Sequence, residues 1–204
     1  MKWVRDIYDW VLHWSKTRYG PAALFMLSFA EASFFPVPPD PLLIALVLGN
    51  RSKAFRFAFI CSAASVFGAF LGYAIGYFAW WTPDQNFSGL AEFFFKTVPG
   101  FTIDRFYTVQ SLYDTWNFWI IFTAGFTPLP YKLFTITGGA FAINFGMFII
   151  ASVVGRSARF FLVAFLIWKY GARIEGFIDK YFNWLAIAFT VLLIGGFLLV
   201  KYLL

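Results

Sequence analysis

Five ionisable side chains lie inside otherwise apolar stretches of this sequence, where a charge is unfavourable. The first half of the chain carries two acids and the second half three bases: Glu31, Asp40, Lys132, Arg156 and Arg159. On insertion scales, each such charge costs about 2.5–3.5 kcal/mol when it is central in a membrane and unpaired. Arg156 and Arg159 are three residues apart and therefore share one face of a predicted helix. Folding the halves together would bring acids against bases and offset their desolvation.

This set of charges favours a polar cavity that binds an anion or carries protons. The guanidinium fork suits phosphate, and the carboxylates are candidates for taking up a proton. The alternatives are purely structural ion pairs, or Asp40 and Lys132 side chains that reach the interface. The sequence contains no P-loop, no GxSxG motif, and no cluster of cysteine or histidine that could bind a metal. We therefore expect no enzymatic activity, no metal and no cofactor.

Two proline-rich breaks lie beside these charges. Proline has no N–H donor and disfavours helical backbone in the residue before it, so the apolar stretches 21–48 and 116–143 cannot be continuous helices. Each arm of the first stretch has about a dozen residues, whereas a hydrocarbon core needs about 20. The prolines that we assign to the two hairpin breaks are Pro36, Pro38, Pro39, Pro128 and Pro130.

The composition excludes several classes of protein. The 204-residue chain is 61% hydrophobic, 24% aromatic and only 13% charged, and a soluble domain of this length needs far more polar surface. A single cysteine excludes a disulfide-rich domain. The net charge of +6 is scattered through apolar sequence instead of forming a basic patch, so nucleic acid is not an expected partner. A membrane protein with basic cytoplasmic loops fits these values.

The distribution of basic residues sets the expected topology. Both the N-terminal segment and the loop at 51–56 are basic, and the positive-inside rule places both in the cytoplasm. Both can lie inside only if residues 21–49 enter and leave on the same side, as a re-entrant hairpin. Residues 57–81 then cross outward, and a second hairpin followed by a span over 145–168 returns the chain. Such hairpins must be buried in protein or line a cavity.

The two halves of the chain also resemble each other. The segment FPVPPDPLLI (35–44) aligns with TPLPYKLFTI (127–136), and ASVFGAFLGY (64–73) aligns with ASVVGRSARF (151–160). Inverted repeats with paired broken elements are how many transporters form a site at the membrane midplane. Chance similarity between apolar segments is the alternative. A further pattern, glycines four residues apart, predicts close packing of the first span against another helix: Gly68, Gly72 and Gly76.

The sequence therefore predicts a single all-α polytopic membrane domain that contains two inverted repeats. Each repeat is a proline-broken re-entrant hairpin followed by a transmembrane helix. In chain order, the predicted parts are an interfacial amphipathic helix (1–20), the first repeat (21–81), an extracytoplasmic polar region (82–115), the second repeat (116–170) and a last transmembrane helix (184–203).

At the residues FAEASFFPVPPDPLL (29–43), the chain resembles the DedA family, which shares the VTT domain of SNARE-associated Golgi proteins. The likeness extends over residues 21–171. Many members carry an Arg-x-x-Pro-x-x-Arg motif at the second hairpin, where this chain has GFTPLPYK (125–132), so it resembles a divergent branch. The residues that carry the resemblance are Glu31, Asp40, Gly68, Gly72, Gly76, Gly155, Arg156 and Arg159.

The resemblance implies a multi-pass protein of the bacterial inner membrane that moves lipids between leaflets, often with proton dependence. Our leading hypothesis is a lipid translocase, a flippase or scramblase for polyprenyl phosphate or phospholipid, whose five embedded charges line the path. The expected partners are lipids with anionic phosphate headgroups, together with protons and, in a homo-oligomer, a second copy of the chain. A proton-coupled exporter of small cations or drugs is the alternative, and a non-transporting assembly factor is a third hypothesis.

Overall fold

The computed structural model describes residues 14, 17–35, 37–84, 86–97, 102–127 and 129–171. Within these residues the regular elements are helices and no strand occurs, although one isolated bridge joins Trp81 to Phe87. The prediction of an all-α protein is confirmed for this part of the chain. The helix predicted at 184–203 and most of the interfacial helix predicted at 1–20 lie outside the described residues.

The described chain forms two short helices and a long helix, then a short and a long helix, and finally a second short–long pair. A 3-10 turn, Arg51–Lys53, leads into the first long helix. In chain order the helices are α1 (Gly20–Ser33), α2 (Asp40–Gly49), α3 (Ala54–Ala79), α4 (Gly89–Thr97), α5 (Ile103–Phe126), α6 (Tyr131–Ala140) and α7 (Phe145–Gly171).

Prolines separate the short helices. Helix α1 has 14 residues and α2 has 10, so at 1.5 Å per residue they are about 21 Å and 15 Å long. Pro39 is the N-terminal cap of α2, Pro130 is that of α6, and Pro38 lies in the non-helical link between α1 and α2. Pro36 and Pro128 lie outside the described residues. The chain thus breaks at both proline-rich segments and restarts as a short helix.

Two helices are long and apolar enough to cross a membrane. They are Arg51–Ala79, which includes the 3-10 turn before α3, and Phe145–Gly171. The first contains nearly all of the span predicted at 57–81, and the second contains all of the span predicted at 145–168. The helix of Arg51–Ala79 has 29 residues and is therefore about 44 Å long, more than the roughly 30 Å of a hydrocarbon core.

Helix α5 passes straight through the boundary predicted between the polar region 82–115 and the second repeat. It begins after Thr102, whose hydroxyl accepts a hydrogen bond from the backbone N–H of Arg105, and it ends at Phe126. No proline or glycine occurs between Thr102 and Ala124, so nothing in the sequence stops the helix despite its change from polar to apolar residues. At the predicted boundary the helix only kinks, because Trp116 has non-helical dihedrals (φ −121°, ψ 19°).

The buried apolar residues form two separate cores. The α2 core is formed by α1, α2, the first half of α3 and the second half of α7, and it includes Leu24, Leu43, Val47, Phe57 and Phe160. The α5 core is formed by the second half of α3 with α4, α5, α6 and the start of α7, and it includes Tyr73, Trp80, Phe106, Tyr131 and Phe148. Helices α3 and α7 run through both cores and so connect them.

Candidate functional site

Three glycines bring α3 into backbone contact with α1 and α6. These are Gly68, Gly72 and Gly76, all of which are buried. A Cβ atom at these positions would lie only 1.9–2.2 Å from atoms of the neighbouring helices, so no other residue fits without a shift. The atoms that occupy this space belong to Phe29, Thr135 and Ile136. The close approach places the end of α1 and the middle of α6 beside the second half of α3.

A buried ion pair joins the first half of the chain to the second at this level. The Nη2 atom of Arg156, on α7, donates a hydrogen bond to the Oε2 atom of Glu31, in the last turn of α1. The side chain of Arg156 is 3% exposed and that of Glu31 is 12% exposed. A buried pair of this kind balances two desolvated charges, and the loss of either partner would strand the other.

Three further residues fix the guanidinium of Arg156. Its Nε atom donates to the hydroxyl of Ser65 on α3, at 2.5 Å. The guanidinium carbon lies 4.8 Å from the ring centroid of Tyr131 and 4.7 Å from that of Phe160, within the range of a cation–π interaction. Tyr131 belongs to the α5 core and Phe160 to the α2 core, so the charge sits between the two cores.

A second ion pair lies about one turn further along α7. The Nε and Nη2 atoms of Arg159 both donate to Oδ1 of Asp40, at 3.2 Å and 3.0 Å. The side chains of Arg159 and Asp40 are 15% and 19% exposed, so this pair is more accessible than the first. Asp40 is the first residue of α2, where the positive end of the helix dipole favours an anion.

Lys132 takes part in neither ion pair, although the sequence suggested it as a partner for the acids. It is half-buried in the first turn of α6, and no carboxylate of the described residues forms a salt bridge with it. It lies three residues before Thr135 and so on the same face of α6. The Thr135 hydroxyl donates to the carbonyl of Ala32 at 3.0 Å, so this face is turned toward the end of α1.

An apolar groove runs along α1, and residues close in sequence to the two acids belong to its wall. Its volume is about 660 Å³, and each residue that lines it is apolar or aromatic, with most of them on α1. Ala30, which precedes Glu31, and Leu42, two residues after Asp40, are both part of its wall. This apolar surface suits the hydrocarbon chain of an amphiphile, and its wall lies close in sequence to both acids.

Sequence reasoning missed the residues that hold Arg156, namely Ser65, Tyr131 and Phe160. One signal was present, because Ser65 and Ser152 occupy the same position in the two aligned ASV segments. Both are buried, and both bond to this site: Ser65 accepts from Arg156, while Ser152 accepts from the hydroxyl of Tyr131 at 2.6 Å. Among the described residues, no group of three or more His, Cys, Asp or Glu side chains could hold a metal ion.

Two bacterial proteins are similar to this chain over most of its length. An uncharacterized protein of Haemophilus influenzae is 39% identical over 166 residues, which cover 80% of each chain. A protein of Histophilus somni, described as an uncharacterized HI0703 homolog, is 32% identical over 195 residues, or 94% of this chain and 96% of the relative. No model of a protein family matches the chain, and no solved structure matches it. The chain belongs to the bacterial family of these two proteins.

Proposed function

We propose that this protein is a lipid translocase, a flippase or scramblase that moves phosphate-bearing lipids across the bacterial cytoplasmic membrane. The observation that carries the proposal is the pair of acid–base contacts, Glu31–Arg156 and Asp40–Arg159, between the two halves of the chain. Ionisable groups within apolar segments are rare, and where they occur they mark ion or substrate pathways. Polyprenyl phosphate and phospholipid both combine an anionic head with long hydrocarbon chains.

The groove beside the charges supports a lipid more than a soluble substrate. A water-soluble ion would need a polar path, whereas the lining here is almost entirely hydrocarbon and aromatic rings. In the proposed mode, the phosphate group reaches the layer of embedded charges while the acyl or prenyl chain stays in the groove or in the bilayer. The head is then the only part of the lipid that must cross the apolar interior, and the embedded charges lower that barrier.

The proposed membrane arrangement is the one that the DedA resemblance implies. Helices α1 and α2 form the first re-entrant hairpin, and the part of α5 after Trp116 forms the second with α6. Helices α3 and α7 are the spans that follow the hairpins, with opposite orientation in an inverted repeat. The short lengths of α1, α2 and α6 support re-entrant segments, because 10 to 14 residues cover about 15–21 Å of a hydrocarbon core of roughly 30 Å.

Cysteine labelling tests this topology. Lys53 and Glu92 are both exposed, while the native Cys61 is fully buried and gives a silent background. In intact cells, we expect an impermeant maleimide to label Glu92→Cys and to label Lys53→Cys only after the membrane is opened. Labelling of both variants from the outside would contradict the hairpin arrangement, because the two positions would then lie on one side.

Transport in liposomes tests the function. Purified protein is expected to accelerate the transbilayer movement of a labelled phospholipid or polyprenyl phosphate above that of protein-free vesicles. Arg159→Ala should slow it about tenfold or more, because hydrogen bonds to charged groups contribute about 1.5–3 kcal/mol. Asp40→Asn, which unbalances the same ion pair, should also slow it. The matched control is Lys96→Ala, which removes a lysine that is 77% exposed and whose partner among the described residues is Glu92. It should transport lipid at the unaltered rate.

The same vesicles separate the proposal from its alternative. A proton-coupled exporter of cations or drugs would move a soluble cation in response to a pH gradient and leave the lipid label in place. Lipid movement that is unchanged in folded Arg159→Ala and Asp40→Asn variants would remove these residues from the pathway. An assembly factor that transports nothing would show neither flux.

A further inference from the structure

We infer that the two ion pairs have different roles, and that the phosphate of the lipid binds Arg159 by displacing Asp40. The pair of Glu31 with Arg156 is a permanent structural contact. This inference rests on the proposed function and names the residue within the site that touches the ligand. It follows from three differences between the pairs: the bonding of each arginine, the accessibility of each pair, and the helix end on which each acid lies.

Arg156 is less open to a ligand than Arg159, because it is more deeply buried and two aromatic rings lie against it. Its Nε and Nη2 atoms donate to Ser65 and Glu31, and the guanidinium carbon lies over the rings of both Tyr131 and Phe160, 4.8 Å and 4.7 Å from their centroids. A phosphate would have to enter a space that these rings already line and where the arginine side chain is only 3% exposed. The contacts therefore hold Arg156 as a fixed charge that neutralises Glu31.

Arg159 still has hydrogen-bonding capacity. Its two hydrogen bonds converge on a single oxygen, Oδ1 of Asp40. Within the described part of the chain, neither Nη1 of Arg159 nor Oδ2 of Asp40 forms a hydrogen bond. Both side chains are also more exposed than their counterparts in the other pair, at 15% and 19%. A planar guanidinium with free N–H groups is the form that binds phosphate through two parallel hydrogen bonds.

The positions of the acids on their helices favour the same assignment. Glu31 lies in the last turn of α1, where the negative end of the helix dipole opposes an anion, so its carboxylate depends on Arg156. Asp40 is the first residue of α2, where the positive end of the dipole stabilises a carboxylate even without a partner. Releasing Asp40 from Arg159 therefore disturbs the fold less than releasing Glu31 from Arg156.

The exchange also has a consistent charge balance. Two carboxylates and two guanidinium groups sum to zero, so an entering phosphate would leave the cluster negative. Lys132 follows Tyr131, whose ring contacts Arg156, and it has no carboxylate partner among the described residues. Its face of α6 is turned toward the end of α1. We expect it to offset the added charge. Asp40 and the phosphate then compete for one guanidinium, and Asp40 sets how tightly the lipid binds and how readily it leaves.

A binding titration tests this inference independently of transport. Purified protein in dodecyl maltoside micelles is titrated with dihexanoyl phosphatidic acid by isothermal calorimetry, with dihexanoylglycerol as the phosphate-free ligand and inorganic phosphate as the chain-free ligand. Arg159→Gln should weaken binding of the phosphatidic acid about tenfold, as expected for the loss of a charged hydrogen-bonding partner. Asp40→Asn, which has the same shape, should tighten it several-fold because the competing carboxylate is gone.

The control variant is Arg156→Lys, which keeps the charge that neutralises Glu31. It should lower the melting temperature and leave the affinity of the folded protein within about twofold, since Arg156 does not touch the ligand. Unchanged or weaker binding by Asp40→Asn would overturn the inference, as would an equal loss of affinity in Arg156→Lys and Arg159→Gln. Equal binding of the phosphate-free ligand would also overturn it.

These outcomes are distinguishable from those of the proposed function. If binding follows the expected pattern and liposomes show no lipid movement, the phosphate site stands and the translocase fails. If lipid moves while Asp40→Asn binds no more tightly, the translocase stands and the competition between Asp40 and phosphate is wrong.

Discussion

Replacing Arg156 by Met is expected to destabilise the fold by about 3–5 kcal/mol, because it leaves Glu31 buried and without its positive partner. The same substitution removes the cation–π contacts with Tyr131 and Phe160 and the hydrogen bond donated to Ser65. Unfolding of the purified protein in micelles, followed by tryptophan fluorescence, measures the change. We expect a loss of this size even though Met fills much of the same volume.

The double variant Glu31→Leu, Arg156→Met is the decisive comparison. Replacing both members of a buried pair by apolar residues of similar volume is often neutral or stabilising, so most of the lost stability should return. The matched control, Lys96→Met, breaks the exposed pair with Glu92 and should leave stability unchanged, because exposed pairs contribute little. If the double variant were as unstable as Arg156→Met, the contact would not be an ion pair that neutralises Glu31.

The second large effect is expected at the glycines that bring α3 against α6. In Gly76→Ala, the new Cβ would lie 1.9 Å from the carbonyl oxygen of Ile136, and in Gly139→Ala it would lie 1.9 Å from that of Tyr73. Each variant must push the two backbones apart, and overpacking of this kind destabilises a fold by about 1–3 kcal/mol or more. The shift would also move the start of α6, and with it the ring of Tyr131 that covers Arg156.

Gly49→Ala is the matched control for these glycines. Gly49 is also helical, as the last residue of α2, and no described residue outside its own turn of helix comes within 4 Å of the position of its Cβ. Alanine there should leave the stability equal or slightly higher, since it reduces the backbone freedom of the unfolded chain. Melting temperatures in the same detergent compare the variants. Equal melting of Gly76→Ala and Gly49→Ala would contradict close packing between α3 and α6.

The helical character of the fold and both of its breaks could be predicted from local chemistry alone. Proline interrupts a helix anywhere beyond its first turn, so the breaks before Pro39 and Pro130 depend on little else. The long helices follow from unbroken runs of apolar residues. Helix α5 is the instructive exception: the change of polarity near Trp116 predicted a boundary, but without proline or glycine the helix continues and only kinks.

The charged residues of the site could be predicted from the sequence, but which acid pairs with which arginine could not. The sequence shows which charges lie in apolar surroundings, because that depends on their neighbours along the chain. Which acid meets which arginine depends on how α1, α2 and α7 are set against α3, and the glycine contacts that fix this register are tertiary. The same limit explains why Lys132 was wrongly expected to pair with an acid, since its charge alone does not show what it contacts in the fold. It also explains why Phe160 was missed, because nothing in the sequence distinguishes its ring from those of the other phenylalanines.

The contact of Arg156 with one ring from each core also determines whether ions can leak through the protein. If the chain lies in a membrane as proposed, the α2 core and the α5 core place dense hydrocarbon on both sides of the charged layer. Moving a bare ion through such an interior costs on the order of 20 kcal/mol in the idealised limit. A continuous water-filled path through a protein would dissipate the membrane potential. The two cores block such a path on either side of Arg156. The fold can therefore hold four charges inside the bilayer without becoming an ion leak.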